Sequence, residues 1–168
     1  RLYRMPWMGT FHSICVRILR REAKTIGFSG NFSIYDGNDQ KSIVKKILKE
    51  MKIDVKDFNP SSILYFISGA KNELIDESEY GKYVNSHFEE IVAEVYKKYQ
   101  KYLKESNGMD FDDLIMNCVR LFSENPEILL KYQETFKYIL IDEYQDTNQA
   151  QYTWVKMLSK KYKNIMVV

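Results

Sequence analysis

Cysteine, proline and glycine are all scarce in this chain, and each scarcity removes a class of protein. Only two cysteines occur, Cys15 and Cys118, so a disulfide-stapled secreted fold is excluded. Both sit in apolar helical patterns and read as buried free thiols in a reducing compartment. There is no Cys-x-x-Cys pair or Cys/His cluster for a zinc site. Three prolines and seven glycines leave no linker, collagen-like repeat or low-complexity tract. No apolar run approaches the ~20 residues of a membrane span, and no signal peptide is visible. No membrane partner is expected, and the expected location is the cytoplasm. A net charge of +2 leaves no strongly basic nucleic-acid arm, although local basic faces stay open.

What remains is an ordinary globular chain. At 168 residues it is one domain, at most one and a half, and long enough to bury a core without metal or disulfide. From Phe11, apolar residues at 11, 14, 15, 18 and 19 recur with helical spacing, and Arg17, Arg20 and Arg21 take the other side. Gly27 and Gly30 end that helix, and Asp36–Asp39 start the next, whose stripe is Ile43, Val44, Ile47, Leu48 and Met51. Pro60 opens a third helix, and a long one is expected from about Glu79 to Lys104 before Asn107-Gly108 stops it. Asp110 caps another, with Phe111, Leu114, Ile115, Cys118 and Phe122 inward, and Asn125-Pro126 restarts a short helix through Tyr132. Leu2–Met8 reads as a strand or its remnant.

At Tyr138 the pattern changes. Tyr138–Ile141 is a continuous apolar run ending in acid, which suits a strand buried on both faces of a parallel sheet. A helix over about Asn148–Tyr162 and a second apolar run over Asn164–Val168 complete a right-handed strand–helix–strand crossover. The fold class is mainly α with a small parallel α/β part.

The chemistry is concentrated in Asp142-Glu143-Tyr144-Gln145-Asp146-Thr147-Asn148. A parallel strand delivers its last side chains to the carboxyl edge of the sheet, where open α/β sheets bind ligands. Two adjacent acids there call for a positive partner, and Mg²⁺ with a nucleoside triphosphate is the usual one. The plain alternative is an acidic turn in which Asp146 or Thr147 caps the next helix.

The string DEYQDTN resembles motif II of the UvrD/PcrA/Rep-type superfamily one DNA helicases. Two more segments agree in order: Gly9-Thr10-Phe11-His12-Ser13 is similar to the family's TFHS single-strand-binding motif, and Asp110–Ile115 to its DFDDLI segment. Asn31–Ile34 and Ala70–Leu74 also read like the PcrA type, so the resemblance covers about Met8 to Val168.

The resemblance implies a fragment of an ATP-dependent 3′-to-5′ helicase acting in repair or replication. Residues 1–28 and 137–168 would flank it as parts of the first RecA-like P-loop NTPase domain (1A), and 29–136 would be the helical 1B-type insertion subdomain. Asp142 would hold Mg²⁺, Glu143 would be the catalytic base, and Gln145 and Asp146 would link nucleotide to DNA. Thr10, Phe11 and His12 would lie against single-stranded DNA, and Phe111 would line a base pocket. ATP and Mg²⁺ are the implied cofactors of the parent, with none expected on the fragment. Its implied partners are single-stranded and duplex DNA and the remainder of the motor.

Each role has a plainer counterpart: His12 as a helix cap, Phe111 as core, Asp112 and Asp113 as first-turn acids favouring the helix dipole. Lysines 41, 45, 46, 49, 52 and 56 form a basic face whose usual fate is solvation. Tyr96, Tyr99 and Tyr102 are expected at helix interfaces with their hydroxyls outward. No GxxxxGK[ST] phosphate cradle is present, so the chain alone is expected to be inactive. It starts at Arg1 and ends inside an apolar run, as expected of a piece of a longer protein whose cut sheet would self-associate. An AddA/RecB-type recombination helicase and a non-catalytic helical interaction module are the alternatives.

Overall fold

A computed structural model describes residues 6–168 of the chain. Seven α-helices dominate: α1 Phe11–Glu22, α2 Gly37–Glu50, α3 Pro60–Asn72, α4 His87–Glu105, α5 Phe111–Glu124, α6 Pro126–Thr135 and α7 Gln149–Ser159. Three short 3₁₀ turns, Ala23–Ile26, Tyr80–Tyr83 and Tyr144–Asp146, and four three-residue strands complete the described elements: β1 Ser33–Tyr35, β2 Gly108–Asp110, β3 Ile139–Ile141 and β4 Ile165–Val167. They form two parallel pairs, β1 with β2 and β3 with β4. The chain is therefore mainly α with small parallel sheets.

Polar residues start the helices as the sequence leads one to expect. Asp36, Asp110 and Asn148 each cap a helix through a reciprocal capping box with Asp39, Asp113 and Gln151. Asn59 caps α3, whose first residue is Pro60. Gly27 takes a left-handed φ of 81°, which costs a residue without Cβ little, and ends the turn after α1.

The buried side chains divide into two cores. One gathers Cys15, Ile18 and Leu19 of α1, Leu114, Cys118 and Phe122 of α5, Tyr132 of α6, Ile141 of β3, and Trp154 and Leu158 of α7. The other gathers Ile43, Val44, Ile47 and Leu48 of α2, Ile63 and Ile67 of α3, and Val92, Tyr96, Tyr99 and Leu103 of α4. Thus α5 and α6 share a core with the two ends of the chain, while α2–α4 enclose their own. The cores meet at the C-terminus of α3: Leu74 packs on the first and Ile75 on the second. Both cysteines are buried and free, with Cys118 Sγ donating to the Cys15 carbonyl at 3.6 Å.

Several expectations need correction. Of the strand expected over Leu2–Met8, residues 2–5 lie outside the described residues, and Pro6–Met8 form no strand. Trp7 instead packs edge-on against Phe136, ring centroids 5.0 Å apart, with Arg17 3.9 Å above its ring. The long helix begins at His87, not near Glu79. Tyr80–Tyr83 form a 3₁₀ turn, and Asp76 ties the backbone N–H groups of Ser78 and Glu79 ahead of it. Ser86 then caps α4 by accepting from the Glu89 N–H. β3 is not buried on both faces: Leu140 is 67 % exposed while Ile141, on the other face, is buried. The β1–β2 pair has no counterpart in the sequence reading. Tyr96 and Tyr99 turn their hydroxyls inward, to the Ile75 carbonyl and the Asp110 carboxylate.

Candidate active site

The turn after β3 is built by its own polar groups. Ile141 ends the strand, and the Glu143 N–H donates to Asp142 Oδ1 at 3.1 Å. Glu143 itself is left-handed, with φ 54° and ψ 44°. A non-glycine residue in that region stores backbone strain, a feature that clusters at functional sites. The Gln145 side-chain amide donates to the Glu143 carboxylate, and Asp146 N–H returns to the Glu143 carbonyl at 3.1 Å. Neither Asp146 nor Thr147 caps the next helix. Asn148 does, its Oδ1 accepting from the Gln151 N–H at 2.8 Å, so the acids are free of that structural duty.

Asp142, Glu143 and Asp146 line an open cleft of about 870 Å³. Gly9, Thr10, Phe11 and His12 line the same cleft, and Trp154, Val155 and Leu158 of α7 add to its apolar lining. Two motifs separated by more than a hundred residues thus face one cavity. Gln145 is not on the cleft wall; it holds Glu143 from behind.

The Thr10–His12 wall is equally specific. Thr10 caps α1, its Oγ1 accepting from the Ser13 N–H at 3.2 Å, which leaves His12 no capping role. The His12 ring meets Phe111 edge-on at 5.7 Å between centroids, and Phe11 meets Trp154 at 6.0 Å. Phe111 is 47 % exposed and so is not core. It opens α5, beside the cleft wall through His12.

Among the described residues no ion pair engages Asp142, Glu143 or Asp146. Nor do three or more His, Cys, Asp or Glu side chains converge as a metal cage. Hard, unpaired carboxylates suit Mg²⁺, which takes one or two protein carboxylates and fills its shell with water and phosphate oxygens. The donor set at Asp142 therefore fits that ion.

A second polar cluster lies under Phe111. Lys71 of α3 is 1 % exposed, its Nζ 2.6 Å from Asp110 Oδ2 and 2.8 Å from Asp113 Oδ1. Tyr99 Oη donates to Asp110 at 2.9 Å and Gln100 Nε2 to Asp113 at 3.1 Å. Burial opposes the Lys71 charge, but the two carboxylates override it and hold its pKa above the ordinary value. Burial also opposes the Asp110 charge, and the Lys71 ammonium overrides it, holding Asp110 low. One cation cannot serve two acids fully: burial, and after it the Asp110 carboxylate, push Asp113 up to about 7. Asp113 is thus a first-turn acid, as expected, but with a buried cation as partner. The sequence holds a signal for this, since Lys71 continues the apolar stripe of Ile63, Ile67 and Ala70.

Capping and core packing alone do not account for these residues, since Asn148 and not an acid caps α7 and Phe111 is exposed. Comparison with known proteins gives the family. The family model of the UvrD/REP helicase N-terminal domain matches residues 2–168. An ATP-dependent DNA helicase PcrA of Bacillus subtilis is 51% identical over 162 residues, 96% of this chain and 22% of that protein. A PcrA of Staphylococcus epidermidis is 52% identical and one of Staphylococcus aureus 51%, each over the same shares. The chain spans about a fifth of the length of these relatives. It belongs to the UvrD/REP helicase family, and what it matches is that family's N-terminal domain.

Proposed function

We propose that this chain is part of an ATP-dependent DNA helicase that moves 3′ to 5′ on single-stranded DNA in the cytoplasm and unwinds duplex ahead of it. The observation that carries the reading is the shared cleft, lined by Asp142 and Glu143 and also by Thr10, Phe11 and His12. A motor needs its fuel site and its track within mechanical reach, and this cleft has both candidate surfaces.

Bound Mg²⁺–ATP supplies the scissile phosphate bond and the positive charge that these acids lack. Asp142 would hold the Mg²⁺. Glu143 takes the proton of the attacking water on its carboxylate, oriented by the Gln145 amide that donates to it. Asp146, on the cleft wall, completes the acidic edge. Thr10 and His12 contact the DNA backbone, and Phe11 packs beside it. Phe111 receives a base on its exposed face, which suits movement along any sequence because every base has a π-face.

Residues 29–136 form the helical 1B-type insertion of this reading, between two portions of the first RecA-like domain. The separate core of α2–α4 supports a distinct body within this stretch, while α5 and α6 share the core of the flanking portions. Its lysines at 41, 45, 46, 49, 52 and 56 are exposed, and none is ion-paired among the described residues. They suit sequence-independent contact with duplex phosphates. The chain by itself does not hydrolyse ATP, because it carries no GxxxxGK[ST] cradle.

The test is the full-length gene product on a forked DNA with a 3′ tail. ATP-dependent strand separation, lost on 5′-tailed forks and reduced about ten-fold or more by Phe111→Ala, is the expected result. Unwinding that is indifferent to tail polarity and to Phe111 overturns the reading.

A further inference from the structure

Two consecutive residues at the C-terminus of α3 reach in different directions. Lys71 is clamped between Asp110 and Asp113, the N-cap and third residue of α5, whose first residue is Phe111. Asn72 accepts, at its Oδ1, a hydrogen bond of 2.7 Å from Asn148 Nδ2. Asn148 is the N-cap of α7 and closes the turn that carries Asp142, Glu143 and Asp146. The Asn148 backbone N–H also donates to Gln151 Oε1 at 3.1 Å, and Gln151 lines the cleft. One helix end therefore holds the start of the helix that presents Phe111 and the end of the acidic turn.

That helix end is stiff. Glu73 N–H bonds the Gly69 and Ala70 carbonyls, Leu74 N–H the Lys71 carbonyl at 2.9 Å, and Ile75 N–H the Ala70 carbonyl at 2.9 Å. Leu74 takes a left-handed φ of 62°, which puts Leu74 against the first core and Ile75 against the second. Tyr96 Oη fixes the Ile75 carbonyl at 3.1 Å. The segment that joins the α5 start to Asn72 is thus bonded at each step, which gives a continuous physical connection between them.

We propose that Asn72 is a positioning residue that couples DNA contact at Phe111 to nucleotide turnover at the acidic turn, with the buried Lys71 anchoring it to α5. The inference rests on the reading of the cleft as a nucleotide and DNA site. Asn72 touches neither ligand. Its single side-chain bond to Asn148 is the link, so losing that bond uncouples the sites while leaving each site built.

The experiment uses the full-length protein with ATP and a poly-dT oligonucleotide. In Asn72→Ala, hydrolysis without DNA and oligonucleotide affinity stay within about two-fold, while stimulation by DNA falls about five-fold or more. Asn72→Asp keeps an acceptor oxygen for Asn148 and restores most of the stimulation. A purely structural role would lower basal and stimulated rates together, and that result overturns the proposal. Stimulation kept whole in Asn72→Ala, or lost equally in Asn72→Asp, also overturns it and leaves the helicase reading standing. Absence of DNA-stimulated hydrolysis in the unsubstituted protein overturns the helicase reading and this inference together.

Discussion

Lys71 carries the largest single electrostatic commitment in the described chain. Its ammonium sits between two buried carboxylates, with Tyr99 and Gln100 supplying further donors to the same oxygens. Removing one partner of such a cluster strands the others without solvent. Lys71→Ala is therefore expected to cost about 3–5 kcal/mol of folding stability, measured by chemical denaturation, and a loss below about 1 kcal/mol would contradict the cluster. Asp113 adds a pH signature. Held up at about 7 against an ordinary 3.8, it keeps a proton in the folded chain that the unfolded chain has released. Its contribution to stability is thus present at low pH, declines as pH rises from about 4 to 7, and is gone above that. Denaturation midpoints of Asp113→Asn, compared with those of the unsubstituted chain at pH 5 and pH 8, should favour the variant more at pH 8. An unchanged difference would contradict the shift. The full cluster was not legible in the sequence, where a lysine at a helix end is by default solvated. The apolar stripe on which it falls says otherwise, but its two acid partners lie 39 and 42 residues away. Tyr96 and Tyr99 misled for the same reason. They lie on the stripe of Val92, Val95 and Leu103, and their hydroxyls find buried acceptors that only the fold supplies.

At the scale of elements, caps and periodicity were legible and short strands were not. Asp36, Asp110 and Asn148 mark helix starts because their side chains satisfy N–H groups that the helix leaves open, a rule written locally in the sequence. The cap at Asn148 also closes the acidic turn, and neither Asp146 nor Thr147 shares in it. Asn148→Ala is expected to cost about 1 kcal/mol, read from thermal or denaturant unfolding, and a neutral result would contradict its capping role. By contrast, β1 and β2 are three residues each and exist only through pairing of Ser33 with Gly108 and of Tyr35 with Asp110, across a separation no local pattern encodes. Gly108 is needed there for closeness: a Cβ on it would stand 2.3 Å from Tyr35 Cε2. Gly108→Ala must push the Tyr35 ring aside at an expected cost of about 1–3 kcal/mol, and unchanged stability would show that the ring yields freely.

At the scale of the molecule, the division into two cores explains how a helical body can stand on a small sheet without disturbing it. The β3–β4 pair shows what that sheet lacks in this chain. Tyr138, Leu140, Met166 and Val167 are all exposed, and the pair has two strands among the described residues. Apolar faces and open edges of this kind invite pairing between copies. The isolated chain is expected to show concentration-dependent association in sedimentation velocity, and a single monomer boundary at millimolar concentration would contradict that. The acidic motif was legible because an apolar run ending in two acids is a local pattern. That it shares a cleft with Thr10–His12 was not, since the cleft forms only when α1 and α7 pack on α5. The account stands on Glu143 as the proton acceptor for ATP hydrolysis. In the full-length protein, turnover and ATP affinity of Glu143→Gln decide it. A fall in kcat of about a hundred-fold or more, with affinity kept within a few-fold, is the result predicted, and turnover within about three-fold of the unsubstituted protein would contradict it.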